Sequence, residues 1–240
     1  MSSIINSFES NSQAANRQPE SWTLDHRLLR DVPSPSTQSN NNAPPHVLSF
    51  QHLLHLSYVE PDRTYTFVQR PVQSQAPTQQ PTATEYTAGP IVQIPKIQTD
   101  AHFNMVANSW AQLWTPQRIL EVPHGTIYKV RDFTIYIGEL HAKRQANVNS
   151  PGVVICITTP CGAGDDVDSI PNTQEPLGPD DFADLQSELR GLWKHLTNGM
   201  DFGKSEIREF KQIAQHFDGK KDLEQEAVVR MWCEALRVRG

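Results

Sequence analysis

The stretch "IYKVRDFTIYIGELH", residues 127–141, most narrows what this chain can fold into. Phe133, Ile135 and Ile137 alternate with Thr134, Tyr136 and Gly138, the two-residue period of a strand with one apolar face buried. A lone strand has nothing to bury that face against, and the sequence supplies neighbours. "TIYKV" precedes it, and "GVVICIT" follows a loop expected at 141–151. A three-stranded antiparallel meander is the natural unit. In it Phe133, Ile135 and Ile137 fill the interior. Tyr128 and Tyr136 are then expected to share the opposite face, met there by a helix of the same chain or by a partner.

Further strands lie upstream. "SWTLDHRLLRD" puts Trp22, Leu24 and Leu28 on even positions. "VLSFQHLLHLSY" and "RTYTFVQR" flank Pro61-Asp62, a dipeptide suited to the centre of a tight turn, and predict a hairpin. "QRILEV" and "TIYKV" bracket a further turn at Pro123-His124-Gly125.

Helical spacing marks four segments. "DAHFNMVANSWAQLW" begins at an N-cap candidate, Asp100, and places Phe103, Val106, Trp110, Leu113 and Trp114 on one stripe before Pro116. "DDFADLQSELRGLWKHLTNG" carries a Phe182, Leu185, Leu189, Leu192, Trp193, Leu196 stripe, acids in its first turn and an Asn198-Gly199 C-cap. "SEIREFKQIAQHF" predicts a shorter helix, and "LEQEAVVRMWCEALRVRG" one with a Val228, Met231, Trp232, Ala235, Leu236 face.

The chain has 240 residues and 37% apolar content, with a mean hydropathy of -0.53. The polar excess is concentrated in residues 1–20, in the Pro/Ser/Asn-rich 32–46 and in the Pro/Gln-rich 71–90, all expected to be disordered. The expected organisation is a disordered segment over 1–20 and a single domain over 21–240. A net charge of -6 argues against a broad nucleic-acid face, which needs Lys and Arg against phosphates. Acids at 165, 166, 168, 175, 180, 181, 184 and 188 face only Arg190, the pattern of a solvated acidic loop. No apolar run approaches the ~18 residues that span a bilayer. The N-terminus lacks the basic start and apolar stretch of a secretory signal. Three irregularly spaced cysteines and no N-x-[ST] sequon suit a reducing, intracellular setting.

No catalytic or metal constellation emerges from spacing. Cys156 and Cys161 are not C-x-x-C, the third cysteine stands alone on the last helix, and His46, His52 and His55 supply no second pair. His52 and His55 would point to opposite faces of a strand. There is no G-x-S-x-G elbow, and a Cys161–His141 pair has no third group. "CGAGDDVD" has no G-x-G-x-x-G, Walker lysine or EF-hand spacing. No catalytic residue, metal or cofactor is expected, and a binding surface is the remaining destination.

"GTIYKVRDFTIYIGEL…SPGVVICIT" with the "LWKHL" helix resembles the centre of Mediator subunit 20, the TBP-related subunit of the Mediator head. "VVRMWCEALRVRG" and "WTLDHRLLRD" resemble the end and the early segment of its filamentous-fungal members. The likeness covers residues 21–31, 47–70 and 100–240. It implies an α+β fold, mainly an antiparallel sheet curved into a barrel with helices packed against it. It also implies a non-catalytic nuclear coactivator that pairs with Mediator subunit 18, is tethered through subunit 8 and acts between activators and RNA polymerase II. Similar members open with a short apolar strand and a Leu/Arg-rich helix. "MSSIINSFESNSQAANRQPES" holds no such strand, so a barrel here is expected to lack one strand. The competing expectation is a small ligand-binding or hydrolytic antiparallel barrel, which requires a roomy polar cavity containing His or Cys. DNA binding by analogy to TBP is disfavoured by the acidic balance.

Overall fold

The computed structural model describes residues 2–11, 15–33, 47–71, 86–144, 147–159, 179–200, 203, 205–210 and 221–237. Residues 160–178 of the acidic loop expected over 160–190, Cys161, and most of the segments expected to be disordered at 32–46 and 71–90 lie outside the described residues. The strands are β1 (Asn16–Asp31), β2 (Phe50–Leu56), β3 (Arg63–Pro71), β4 (Tyr86–Ala88), β5 (Val92–Pro95), β6 (Trp114–Val130), β7 (Phe133–Arg144) and β8 (Asn147–Thr158). The helices are α1 (Ser2–Asn11), α2 (Thr99–Asn104), α3 (Pro179–Leu196) and α4 (Lys221–Arg237).

All strand pairings are antiparallel, in the order β4-β3-β2-β1-β6-β7-β8, with β5 also on β3. The expected β2–β3 hairpin and the β6–β7–β8 meander are both present. The α+β class holds, but the sheet is not closed. Among the described residues β8 at one end does not pair with β4 or β5 at the other. A barrel buries its inner face by curling on itself; here helices do that work on both faces, so closure is not needed. Strand β2 shows it: every residue from Gln51 to Leu56 is buried, so neither face is wet.

One face gathers Trp22, Leu24, Leu54, Leu56, Tyr65, Phe67 and Leu140 beneath Val229, Trp232, Cys233 and Leu236 of α4. The opposite face holds two clusters. Tyr128, Val130, Ile135 and Ile137 lie under Phe8 of α1 and Leu196 of α3. Leu29 and Leu53 lie under Phe103 and Val106. Burying each such side chain is worth about 1.5–3 kcal/mol.

Several elements differ from expectation. Residues 2–11 are helical and β1 starts at Asn16, where sequence alone predicts disorder. The order comes from tertiary contact: Phe8 is 3% exposed, its ring 4.6 Å from that of Tyr128. Within the 71–90 segment, Tyr86–Ala88 pairs with the end of β3. Pro123-His124-Gly125 is not a turn but an irregularity inside one continuous strand. Trp22 pairs with Gly125, where an added Cβ would sit 2.0 Å from the indole Nε1. The tripeptide bulges to seat a tryptophan. The loop expected at 141–151 is instead mostly strand, since β7 runs to Arg144 and β8 begins at Asn147.

The helix expected from Asp100 to Trp114 stops early. α2 spans Thr99–Asn104, then a π-turn occupies Met105–Ser109, and Trp114 already opens β6. Asp100 is a first-turn residue rather than the cap, and it pairs with Arg27 at 2.6 Å. α3 forms as expected, closed by Gly199 at φ 79, the left-handed conformation a helix C-terminus needs. Residues 205–210 are not helical, and 211–220 lie outside the described residues. The buried face of α4 is rotated from the expected one, centring on Val229 and Cys233 rather than Val228 and Ala235.

Candidate interaction surface

Tyr128 and Tyr136 do not share a face. In the β6–β7 register Tyr128 stands opposite Ile135 and Tyr136 opposite Ile127, so the two rings point to opposite sides of the sheet. The physical reason is the hairpin: the two-residue connection at Arg131-Asp132 pairs Tyr128 with an odd position of β7, placing it with Ile135 and Ile137. Tyr128 is fully buried and donates its hydroxyl to Glu9 Oε1 at 2.8 Å. Burial, first, and the Glu9 carboxylate push its pKa up to about 12. Tyr136 is half-buried and stacks on Tyr58 with ring centroids 4.0 Å apart.

Tyr136 belongs to an aromatic group that holds α4 on the sheet. Trp22 makes edge contacts with Tyr58 and Tyr136 at 5.8 and 6.1 Å, and lies 5.9 Å from Trp232. Trp232 Nε1 donates to the Tyr58 hydroxyl at 2.6 Å, and Trp22 Nε1 donates to the Ile137 carbonyl at 3.2 Å. Cys156 packs here as well. Burial raises its thiol to about 11, so at neutral pH it is a protonated packing residue rather than a nucleophile.

Beside this group runs a buried polar chain that the sequence pattern did not reveal. The Glu234 carboxylate accepts from Gln69 Nε2 at 2.9 Å and from Arg237 Nη2 at 2.6 Å. A carboxylate only accepts, so the Gln69 amide must present Oε1 to its other neighbour. That oxygen lies 3.0 Å from His52 Nε2, which therefore carries the proton. His52 Nδ1 is then an acceptor, 3.1 Å from His26 Nε2, the donor. The chain ends at His26 Nδ1, which has no hydrogen-bond partner among the described residues. Burial is the main cause holding His52 at a pKa of about 4, and burial with the His52 and Arg118 charges lowers His26 well below its ordinary value. Both imidazoles are neutral at pH 7. Cys233 of α4 approaches the same two rings, the candidate ligand atoms all lying within 4.8 Å. Residues 26, 52 and 233 are too far apart in sequence for spacing to announce them. His55, on the opposite side of β2, donates Nδ1–H to the Arg63 carbonyl at 2.8 Å.

Both faces of the sheet carry clusters of buried side chains. A hollow of about 330 Å³ lies at the surface, bordered by Arg17, Glu20 and Thr126, and neither His nor Cys lines it. It does not match the cavity that a hydrolytic or ligand-binding barrel requires.

Apolar side chains remain exposed where the shortened α2 meets β6. Trp110 is 44% exposed, Leu113 55% and Val32 37%. They are neighbours: the Val32 N–H donates to the Leu113 carbonyl at 2.9 Å, and the Leu113 N–H donates to the Trp110 carbonyl at 2.8 Å. Met105, 40% exposed, opens the π-turn just before them. Single-turn π segments of this kind concentrate at functional sites. Sequence periodicity assigned Trp110 and Leu113 to a buried stripe; the π-turn ends that periodicity and turns both outward.

These features define an α+β protein with an antiparallel sheet covered on both faces and an apolar patch at the surface. Residues 2–201 match the family model of Med20, the TATA-binding related factor (TRF) of subunit 20 of the Mediator complex, and the chain belongs to that family. It is accordingly a non-catalytic subunit of Mediator, a complex of transcription regulation. No curated protein matches the sequence. Among solved structures, the chain is similar to one in the Schizosaccharomyces pombe Mediator head module at 8% identity, covering 84% of this chain and 90% of that one, with a TM-score of 0.38. It is also similar to the PH1819 protein of Pyrococcus horikoshii OT3 at 11% identity, covering 80% and 85%, with a TM-score of 0.33.

Proposed function

We propose that this chain is a structural and regulatory adaptor of the Mediator head, working in the nucleus as a coactivator between activators and RNA polymerase II. Its direct partners are the homologues of Mediator subunit 18, with which it pairs, and of subunit 8, which tethers it. The observation that supports this reading is the patch of Val32, Trp110 and Leu113, apolar and exposed beside a π-turn. Exposed tryptophan is the residue type most enriched among the side chains that dominate protein interfaces. Tyr128 and Tyr136, the interface residues expected from the sequence, are covered by α1 and by Tyr58, and would reach a partner only if that cover moved.

Co-expression with the subunit 18 homologue, followed by size-exclusion chromatography, tests the pairing. The expected result is a single co-migrating peak. Separate elution of two folded proteins would contradict the adaptor reading.

A further inference from the structure

The polar seat of α4 has the donor set of a metal site. His26 of β1 and His52 of β2 sit diagonally on one face, through the pairs His26–Leu54 and Leu28–His52. Cys233 descends from α4 onto the same spot, and all three residues are buried. The two facing nitrogens are 3.1 Å apart. Two imidazoles on a three-coordinate cation are separated by roughly 3.5 Å, given metal–nitrogen bonds of ~2.0 Å. The pair lies within about half an ångström of that spacing, with a hydrogen bond where the cation would go. His52 also has the outer contact that metal-bound histidines carry: its far N–H is fixed on the Gln69 carbonyl, which sets the tautomer and aims Nδ1 at the site.

We propose that His26, His52 and Cys233 bind a soft monovalent cation of the copper(I) type in a three-coordinate N₂S site. Three ligands satisfy such an ion, whereas structural zinc takes four, and no fourth His, Cys, Asp or Glu joins this group among the described residues. Charge points the same way. A thiolate with a monovalent ion is neutral; with a divalent ion it leaves a net positive charge in a buried site already influenced by Arg118. On binding, the Cys233 thiol loses its proton to solvent, the His26 proton moves from Nε2 to Nδ1, and no electron is transferred. Because α4 supplies the thiolate and the strands the imidazoles, the ion would clamp the last helix to the sheet.

The test is anaerobic titration of the full, reduced, chelator-treated chain with Cu(I) against bathocuproine disulfonate, with Zn²⁺ titrated in parallel. The expected result is one tight equivalent, with copper-edge absorption showing two nitrogens and one sulfur, and a raised melting temperature. Cys233→Ser should weaken binding by more than about 100-fold, beyond the range of an outer-contact loss, and Gln69→Leu by about 10-fold. Cys156→Ser should leave it unchanged. Equal Cu(I) affinity in Cys233→Ser, or tight binding of Zn²⁺ alone, would overturn the proposal. Should Cys233→Ser fail to fold, the wild-type absorption spectrum decides: sulfur-only or nitrogen-only ligation overturns it.

Discussion

The two faces of the sheet are covered by the same means, helices, but in different chemical terms. Beneath α1 and α3 the contact is aliphatic and aromatic, with one buried hydroxyl on an exposed carboxylate. Beneath α4 a tryptophan-centred group lies beside a directed chain of two imidazoles, an amide and an ion pair. An apolar contact tolerates sliding, since dispersion has little direction. The chain under α4 does not, because each donor and acceptor fixes the next. Arg230 over Phe67 at 5.4 Å and Arg237 over Phe50 at 5.6 Å pin the helix at two further points along it. The α4 face thus specifies one seat, whereas the α1/α3 face supplies burial.

The sharpest break of this contrast is Trp22→Ala, which removes the hub of the α4 face. It should destabilise by about 3–5 kcal/mol, measured by denaturant melts. Ile137→Ala, on the opposite face, should cost about 2–5 kcal/mol. The two should also differ in kind: Trp22→Ala should release α4 in hydrogen exchange, and Ile137→Ala should leave α4 protected. Gly125→Ala tests the seat from behind. Its methyl would collide with the Trp22 indole, and overpacking of this sort costs about 1–3 kcal/mol.

Acid separates the faces more gently. In metal-free protein His26 and His52 have folded pKa values below the unfolded 6.5, His52 at about 4. Lowering the pH through that window protonates the unfolded chain first, so stability is full above about 6.5 and falls toward 4. The slope is at most about 1.4 kcal/mol per pH unit for each proton. His55 and His102, also lowered by burial, add to the slope. A His26→Gln/His52→Gln variant should flatten the profile more than His102→Gln.

Much of the sheet was legible because alternation survives wherever one face is buried: Trp22, Leu24 and Leu28 on β1, Ile135 and Ile137 on β7. What misled was local chemistry overridden by tertiary contact. Pro123-His124-Gly125 has the composition of a turn, yet the demand is for a glycine against Trp22, a residue about a hundred positions away. The first eleven residues have no apolar run, yet Phe8 finds a cover site over Tyr128. The Tyr128 assignment failed because a hairpin's register, not its sequence, decides which odd and even positions face together. The His26–His52–Cys233 group and the exposed Trp110 were invisible for related reasons. The first needs three distant segments to meet, and the second needs a π-turn to break a helix the spacing promised.

The reading of this chain as an adaptor is tested most directly by a Trp110→Ser/Leu113→Ser double variant in the co-expression experiment. Exposed positions contribute little to the fold, so its melt should shift by no more than about 0.5 kcal/mol. Binding to the subunit 18 homologue should weaken by about 30-fold or more, the loss of an interface hot spot worth at least ~2 kcal/mol. A folded double variant that co-migrates with its partner as tightly as the wild type would contradict the account.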